Sequence, residues 1–286
     1  MSHATGWVSE PTVSVCIPTY RGASFLTESI QSVLDQTYTD FELLIIDDAS
    51  PDATAGLVAR FVDQRLTYIR NESNIGAQDN WNRCLSIARG RYIKILPHDD
   101  LLHPTCLERQ VAILESDPDE RIALACSARN MIDAAGHVVL RRGMPGRIEG
   151  RVASSDVVRR CLRAGTNLIG EPGAVLFRRS LADRVGGFDA THPYVIDLDY
   201  WFRLLAHGDA WFCAEPLASF RMHRSNWTRD LAARQCADLL GMVDTLAARG
   251  TIAVSTLDRQ LCRARAQLNQ VLRGIAFGLF SATRQR

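Results

Sequence analysis

Four short β-rich runs alternate with four helical patterns between positions 13 and 114, and this alternation constrains the fold more than any other feature. Val13-Ser14-Val15-Cys16-Ile17 reads as a strand that closes at Pro18 and a Tyr20-Arg21-Gly22 turn; Leu26, Ile30, Val33 and Leu34 then recur at helical spacing. Leu43-Leu44-Ile45-Ile46 is a second strand, nearly all apolar, as expected for a strand covered on both faces, and it ends at Asp47-Asp48. Ser50 or Asp52 is placed to cap the next helix, with Pro51 near its first turn and Leu57, Val58, Phe61 and Val62 as its buried stripe. Leu66 to Arg70 is a third strand, and Asn74-Ile75-Gly76 leads into a helix carrying Trp81, Leu85 and Ala88. Tyr92 to Leu96 is a fourth, ending at Pro97-His98-Asp99-Asp100; Pro104 then opens a helix with Leu107, Val111 and Leu114. Strand and helix in strict alternation predict an α/β fold: a mostly parallel sheet with right-handed crossovers and flanking helices.

The second half is less regular. Ile122 to Ala128, Ala174 to Phe177 and Trp211 to Ala214 read as strands, and Ser154 to Arg163 and Asp197 to Ala206 as helices. A turn is expected at Val185-Gly186-Gly187-Phe188-Asp189, and Gly136, Gly143, Gly146 and Gly150 mark a loop-rich join. From about Thr228 the chain reads as helical. The expected division is a main unit over 1–227, split into halves at about 12–120 and 121–227, and a helical C-terminal extension over 228–286.

Composition removes several classes of function. Lys+Arg is 33 and Asp+Glu is 32, so a net charge of +1 gives no global case for nucleic-acid binding. No apolar run approaches the roughly 18 residues of a spanning helix, and the N-terminus carries no basic-then-apolar leader. Eight scattered cysteines without a CxxC pair read as reduced, mostly buried thiols, which points to the cytoplasm. There is no GxxxxGK[ST] loop, no GxGxxG after the first strand and no GxSxG elbow, which weakens the ATPase, dehydrogenase and hydrolase readings.

Open parallel sheets bind ligands beyond the carboxyl ends of their strands. The unusual polar residues fall at that edge repeatedly: Thr19-Tyr20-Arg21, Asp47-Asp48, Asn71 with Asn74-Ile75-Gly76, and His98-Asp99-Asp100. Two acidic pairs on one rim repel each other, and a cation shared with a phosphorylated ligand would relieve that repulsion. Asp99-Asp100 suits a hard divalent ion, Mg2+ or Mn2+. The plainer alternative is that each acidic pair is a solvated turn.

The runs VSVCIPTYRG, LLIIDDAS, NESNIGAQDNWNRCL and YIKILPHDDLLHPTCLE, in this order, resemble the family 2 glycosyltransferases of GT-A fold. AVLFRRSLADRVGGFD, DLDYWFRLLAHG and FRMHRSN extend the likeness, so that it covers about residues 12 to 225. The resemblance implies an inverting transfer of sugar from a nucleotide-diphosphate donor, a UDP-sugar, to a glycan or lipid-linked acceptor in polysaccharide biosynthesis. It implies that Pro18, Thr19 and Tyr20 line the nucleotide pocket, and that Asp47 or Asp48 accepts a hydrogen bond from the base. Arg70, Asn74 and Gly76 would border the nucleotide. Asp99 and Asp100 would bind the metal and ribose, His223 would lie near the metal or diphosphate, and Asp199 would be the general base. Pro97 stands where the family often has another Asp, so the metal set is leaner and His98 is a further candidate. Leu198 stands where Glu is frequent, which makes Asp197 the candidate supporting acid. Glu171-Pro172-Gly173 is expected near the site on the acceptor side, or is a plain Pro-Gly turn.

Leu257, Leu261, Ala264, Leu268, Val271, Leu272, Ile275 and Leu279 recur on one face of the last segment, whose residues from 257 on hold six Arg and one Asp. The face is expected to pack on the catalytic unit or on a second subunit; the alternative is peripheral contact with an anionic membrane surface. Two rival functions remain: a sugar nucleotidyltransferase, for which TYRGAS is poor in Gly and basic residues, and a silent nucleotide-sugar binding module.

Overall fold

A computed structural model describes residues 10–223 and 231–282. Among these residues, ten strands form one mixed sheet: β1 (Val13–Thr19), β2 (Phe41–Asp47), β3 (Leu66–Arg70), β4 (Tyr92–Ile95), β5 (Leu101–Leu102), β6 (Ile122–Ile132), β7 (Val138–Arg142), β8 (Gly150–Val152), β9 (Val175–Arg178) and β10 (Asp209–Arg221). Their order is β3-β2-β1-β4-β9-β6-β10-β5, with β7 added on β6 and β8 on β10. The first four strands are parallel; β9 runs antiparallel between β4 and β6, and β6 and β10 are again parallel.

Period-two alternation puts β1 and β2 into two cores at once. Val13, Val15, Ile17, Leu43 and Ile45 face a layer with α1 (Leu26–Leu34), α2 (Thr54–Val58) and α4 (Cys106–Glu115). Cys16, Leu44 and Ile46 face the other. That layer holds α3 (Ala77–Ile87), α5 (Ser154–Ala164), α6 (Arg179–Val185), α7 (Ile196–Leu205), α8 (Gln235–Ala248) and α9 (Thr256–Ala282). All eight cysteines are free thiols and seven are buried.

Three expectations change. Val62 is fully exposed, because α2 ends at Val58 and helical periodicity stops with it. The loop-rich join holds two strands, β7 and β8; β6 runs past its expected end to Ile132, where it pairs with β7, and β10 runs on to Arg221 against β6 and β5. The leucine stripe of α9 faces outward: Leu257, Leu261, Leu268, Val271 and Leu272 are exposed, whereas Cys262 and Ala266 are buried. The reason is local. Gly165, in the left-handed region (φ +62°) just past α5, lies so close to α9 that a Cβ there would sit 2.5 Å from the Ala266 amide nitrogen. Such an approach is possible only through small side chains, so the helix docks by its Ala and Cys face.

Candidate active site

The carboxyl ends of β1, β2 and β3 stand in register, Thr19 opposite Asp47 and Asp47 opposite Arg70. The two acidic residues there have different occupations. Asp47 accepts the Tyr68 hydroxyl at 2.5 Å and lies 3.5 Å from Arg70 Nε. Asp48 accepts the Asn71 side-chain amide at 2.7 Å and the backbone N–H groups of Ile75 and Gly76 at 2.8 and 2.9 Å. It thus shapes the 71–76 loop, with Asn74 Nδ2 on its backbone carbonyl. Thr19 Oγ1, by contrast, is buried without a hydrogen-bond partner. Orphaned buried hydroxyls are rare, and this one sits where a nucleotide pocket is expected. Gly22 keeps the space beside it: a Cβ there would meet Thr19 Oγ1 at 2.2 Å and the His98 ring at 3.3 Å. Pro18 is buried in β1, and Tyr20 is 39% exposed beside it.

One strand over, β4 delivers Asp99 and Asp100, and the end of β10 returns to meet them. His223 Nε2 lies 2.8 Å from Asp99 Oδ2, and its ring packs tilted against Phe25, with centroids 4.7 Å apart. The fully buried Arg221 donates from Nε to the Asp99 carbonyl, from Nη2 to Glu28 and from its backbone N–H to Asp100 Oδ1. Burial works against ionised Asp99, but the His223 hydrogen bond and the His98 charge prevail and hold it below its ordinary value. Asp100 is pushed well above its ordinary value by burial and by the Asp99 charge. A bound cation would relieve that strain; two carboxylates suit Mg2+ or Mn2+, and Mn2+ also tolerates the imidazole. Among the described residues no three acidic, His or Cys side chains converge on one metal position, so such an ion would need water or ligand oxygens as well.

Glu171 connects this rim to α7. It accepts from Arg129 Nε, and its negative charge is felt by both Asp100 and Asp197. Lys94, buried in β4, donates to the carbonyls of Gly173 and Val175 and so anchors the 171–174 turn. Asp197 receives the Asn167 side-chain amide at 2.9 Å. Burial, and then the Glu171 charge, push it up to about 7. Asp199 is placed elsewhere. Two residues apart on a helix means nearly opposite faces, and Asp199 pairs at 2.8 Å with Arg203, whose other N–H groups bond the carbonyls of Val185 and Gly187. The structure therefore gathers Asp100, Glu171 and Asp197 and ties Asp199 to the α6–α7 connection. Arg129, Lys94, Asn167 and Arg221 carry no sequence signal of their own; only the folded sheet shows that they hold the site together.

A mixed sheet with its polar residues along one rim, an orphaned hydroxyl and an acidic row define a GT-A type transferase layout. The comparisons agree. The profile described as glycosyl transferase family 2 matches residues 14–186, and the chain belongs to that family. An uncharacterised protein of Mycobacterium tuberculosis is 34% identical over 236 residues, 79% of this chain and 72% of that one. The S. aureus TarS structure (residues 1–349) in complex with UDP-GlcNAc superposes with a TM-score of 0.67 at 17% identity, covering 91% of this chain and 72% of that one. The Pyrobaculum calidifontis mannosyltransferase PcManGT in complex with GDP-Man and Mn2+ gives 0.61 at 20% identity, covering 91% and 70%. At such identities the two structures show the shared fold. The chain is a glycosyltransferase.

Proposed function

We propose that the protein transfers a sugar, with inversion, from a nucleoside-diphosphate donor, a UDP-sugar, to a hydroxyl of a glycan or lipid-linked acceptor in polysaccharide assembly. The observation that carries this reading is the acidic row that runs from Asp99 and Asp100 through Glu171 to Asp197. Inversion needs two functions on opposite faces of the sugar: charge stabilisation at the leaving diphosphate and a base behind the acceptor hydroxyl. Asp99, Asp100 and His223 would hold Mn2+ or Mg2+, which when bound neutralises diphosphate charge. The Thr19 hydroxyl, with Pro18, Tyr20, Arg70 and the loop of Asp47, Asp48, Asn74 and Gly76, forms the border for the nucleotide.

The base role moves from Asp199 to Asp197. A carboxyl near 7 is half ionised at neutral pH, so it accepts a proton more readily than one at the ordinary value of 3.8. Asn167 orients one of its oxygens. Arg129 keeps Glu171 ionised against burial, and Glu171 in turn raises Asp197. Asp199 is engaged by Arg203 and acts as a strut.

The catalytic unit is placed at 1–227, with 228–286 as the helical addition; that boundary lies outside the described residues. No helix among the described residues is long and apolar enough to cross a membrane. The outward apolar stripe of α9, next to the exposed Arg263 and Arg265, favours peripheral contact with an anionic lipid surface. Co-sedimentation with anionic liposomes, with and without residues after 256, tests this, and unchanged partitioning refutes it.

A thermal-shift panel of UDP- and GDP-sugars, with and without Mn2+, tests the main reading, followed by an assay of released nucleoside diphosphate. Stabilisation by a UDP-sugar that deepens with Mn2+, with nucleotide release, is expected. No shift and no release for any nucleotide sugar would refute it.

A further inference from the structure

A second concavity lies beside the acidic row and is absorbed by none of the roles above. The β6–β7 hairpin, the 143–149 loop and the irregular stretch of β10 border an open-sided cavity of about 210 Å³. A single water needs only some 10–15 Å³ of such space, so the cavity takes a chemical group of appreciable size. Arg141, Arg142 and Arg147 line it, with Met144, Ile148 and Phe212 as its apolar wall. No carboxylate is among the lining residues. Glu149, next to Ile148 in the chain, accepts the Ala214 N–H at 2.7 Å, while Arg141 donates to the Ala214 carbonyl at 2.7 Å. These two clamps fix the cavity edge at Ala214.

Two observations tie the cavity to the reaction and to a negatively charged occupant. Arg142 pairs in register with Arg129, and its charge helps to hold Glu171 below its ordinary value, so one side chain serves both the cavity and the acidic row. Arg147 is held in the left-handed region, at φ +50°, which is costly for a bulky side chain. No hydrogen bond or ion pair to another described residue accounts for that conformation. That backbone conformation puts a third arginine on the lining with Arg141 and Arg142. A Gly at this position would make the turn without strain, but it would leave no guanidinium there.

The nucleotide rim does not explain the cavity. From β1 to β6 the sheet takes three steps, through β4 and β9, or roughly 14 Å at about 4.8 Å per strand. The cavity therefore lies away from the β1–β2 rim, on the part of the sheet where Arg129 holds Glu171. Guanidinium forks match carboxylate and phosphate oxygens, and an apolar wall suits the C–H face of a sugar ring.

We propose that this cavity is an oxyanion subsite: it receives a phosphate or uronate carboxylate carried by the acceptor, and thereby aims the neighbouring hydroxyl at Asp197. The proposal rests on the glycosyltransferase reading and specifies its acceptor class as anionic. The test needs no donor. Wild-type protein is titrated at low salt with inorganic phosphate and, separately, with glucuronate, by isothermal calorimetry, and both titrations are repeated with Arg147→Gly and Arg147→Lys. Saturable binding of one anion is expected, weaker in high salt. It should weaken about tenfold or more in the Gly variant, with the Lys variant in between. The anion that binds identifies the group as phosphate or carboxylate. Because Gly relieves the left-handed strain, the Gly variant should also melt higher, by about 2–4 °C. A purely structural Arg147 would give a lower melting temperature and unchanged anion affinity, and that result overturns the proposal. So does the absence of binding by either anion. Binding of UDP- and GDP-sugars by the wild type is measured in parallel: absence of both refutes the donor reading, whatever the anions do.

Discussion

Replacing Asp197 by Asn should make the enzyme inactive and, at alkaline pH, more stable. The folded carboxyl sits at about 7 against an ordinary 3.8. About three pKa units correspond to some 4 kcal/mol of penalty for holding the charge in the fold. Residual solvent contact at this partly exposed residue screens some of that, leaving about 2–3 kcal/mol. Asn cannot reproduce both accepted hydrogen bonds, from Asn167 and the Leu198 N–H, and losing one costs about 1 kcal/mol. The sign follows from linkage. A group raised in the folded state adds stability in full below 3.8 and loses it as pH rises towards 7. The Asn variant is therefore predicted to be about 1–2 kcal/mol more stable than wild type at pH 8. The two should be equal near about pH 5, and the variant about 0.5 kcal/mol less stable at about pH 4. Urea unfolding at these three pH values measures the swing. Turnover should fall roughly 100- to 10,000-fold in the same variant, the range of a lost general base. A variant destabilised equally at all three pH values would refute the charge argument, and one with wild-type turnover would refute the base role.

Three further perturbations follow from the same geometry. Asp199→Ala should keep turnover within about tenfold while costing about 1.5–3 kcal/mol of stability, because Arg203 loses its charged partner; loss of turnover in a well-folded variant would return the base role to Asp199. Gly22→Ala should weaken UDP binding at least about tenfold by displacing the Thr19 hydroxyl, as read by calorimetry; unchanged affinity would remove Thr19 from the nucleotide pocket. His223→Ala should weaken Mn2+ binding about tenfold or more, and chelation should abolish turnover in the wild type; full activity in chelator would exclude the metal from the reaction.

The nucleotide half is legible in the sequence because its strands are buried on both faces and end abruptly in polar residues; Leu43 to Ile46 followed by Asp47-Asp48 admits few other structures. The acceptor half is not, because its order depends on distant pairing. β6 and β10 gain length by pairing with each other and with β7 and β5, and β9 enters antiparallel from much later in the chain. Which of two aspartates on α7 faces the cleft is set by how the helix docks, with Leu198, Trp201 and Leu205 buried and Arg203 reaching back to Gly187. Heptad spacing in α9 marks an apolar face correctly but cannot say what covers it, and the close contact at Gly165 selects the other face. Lys94 and Arg129 look like ordinary charged residues until the fold buries them against carbonyls and Glu171.

Anomalous scattering from crystals grown with Mn2+ and a UDP-sugar probes the single cleft most directly. The geometry predicts one manganese peak at the Asp99, Asp100 and His223 rim, with the sugar's anomeric carbon between it and Asp197. A manganese peak away from that rim, or a sugar turned from Asp197 towards Arg203, would contradict it.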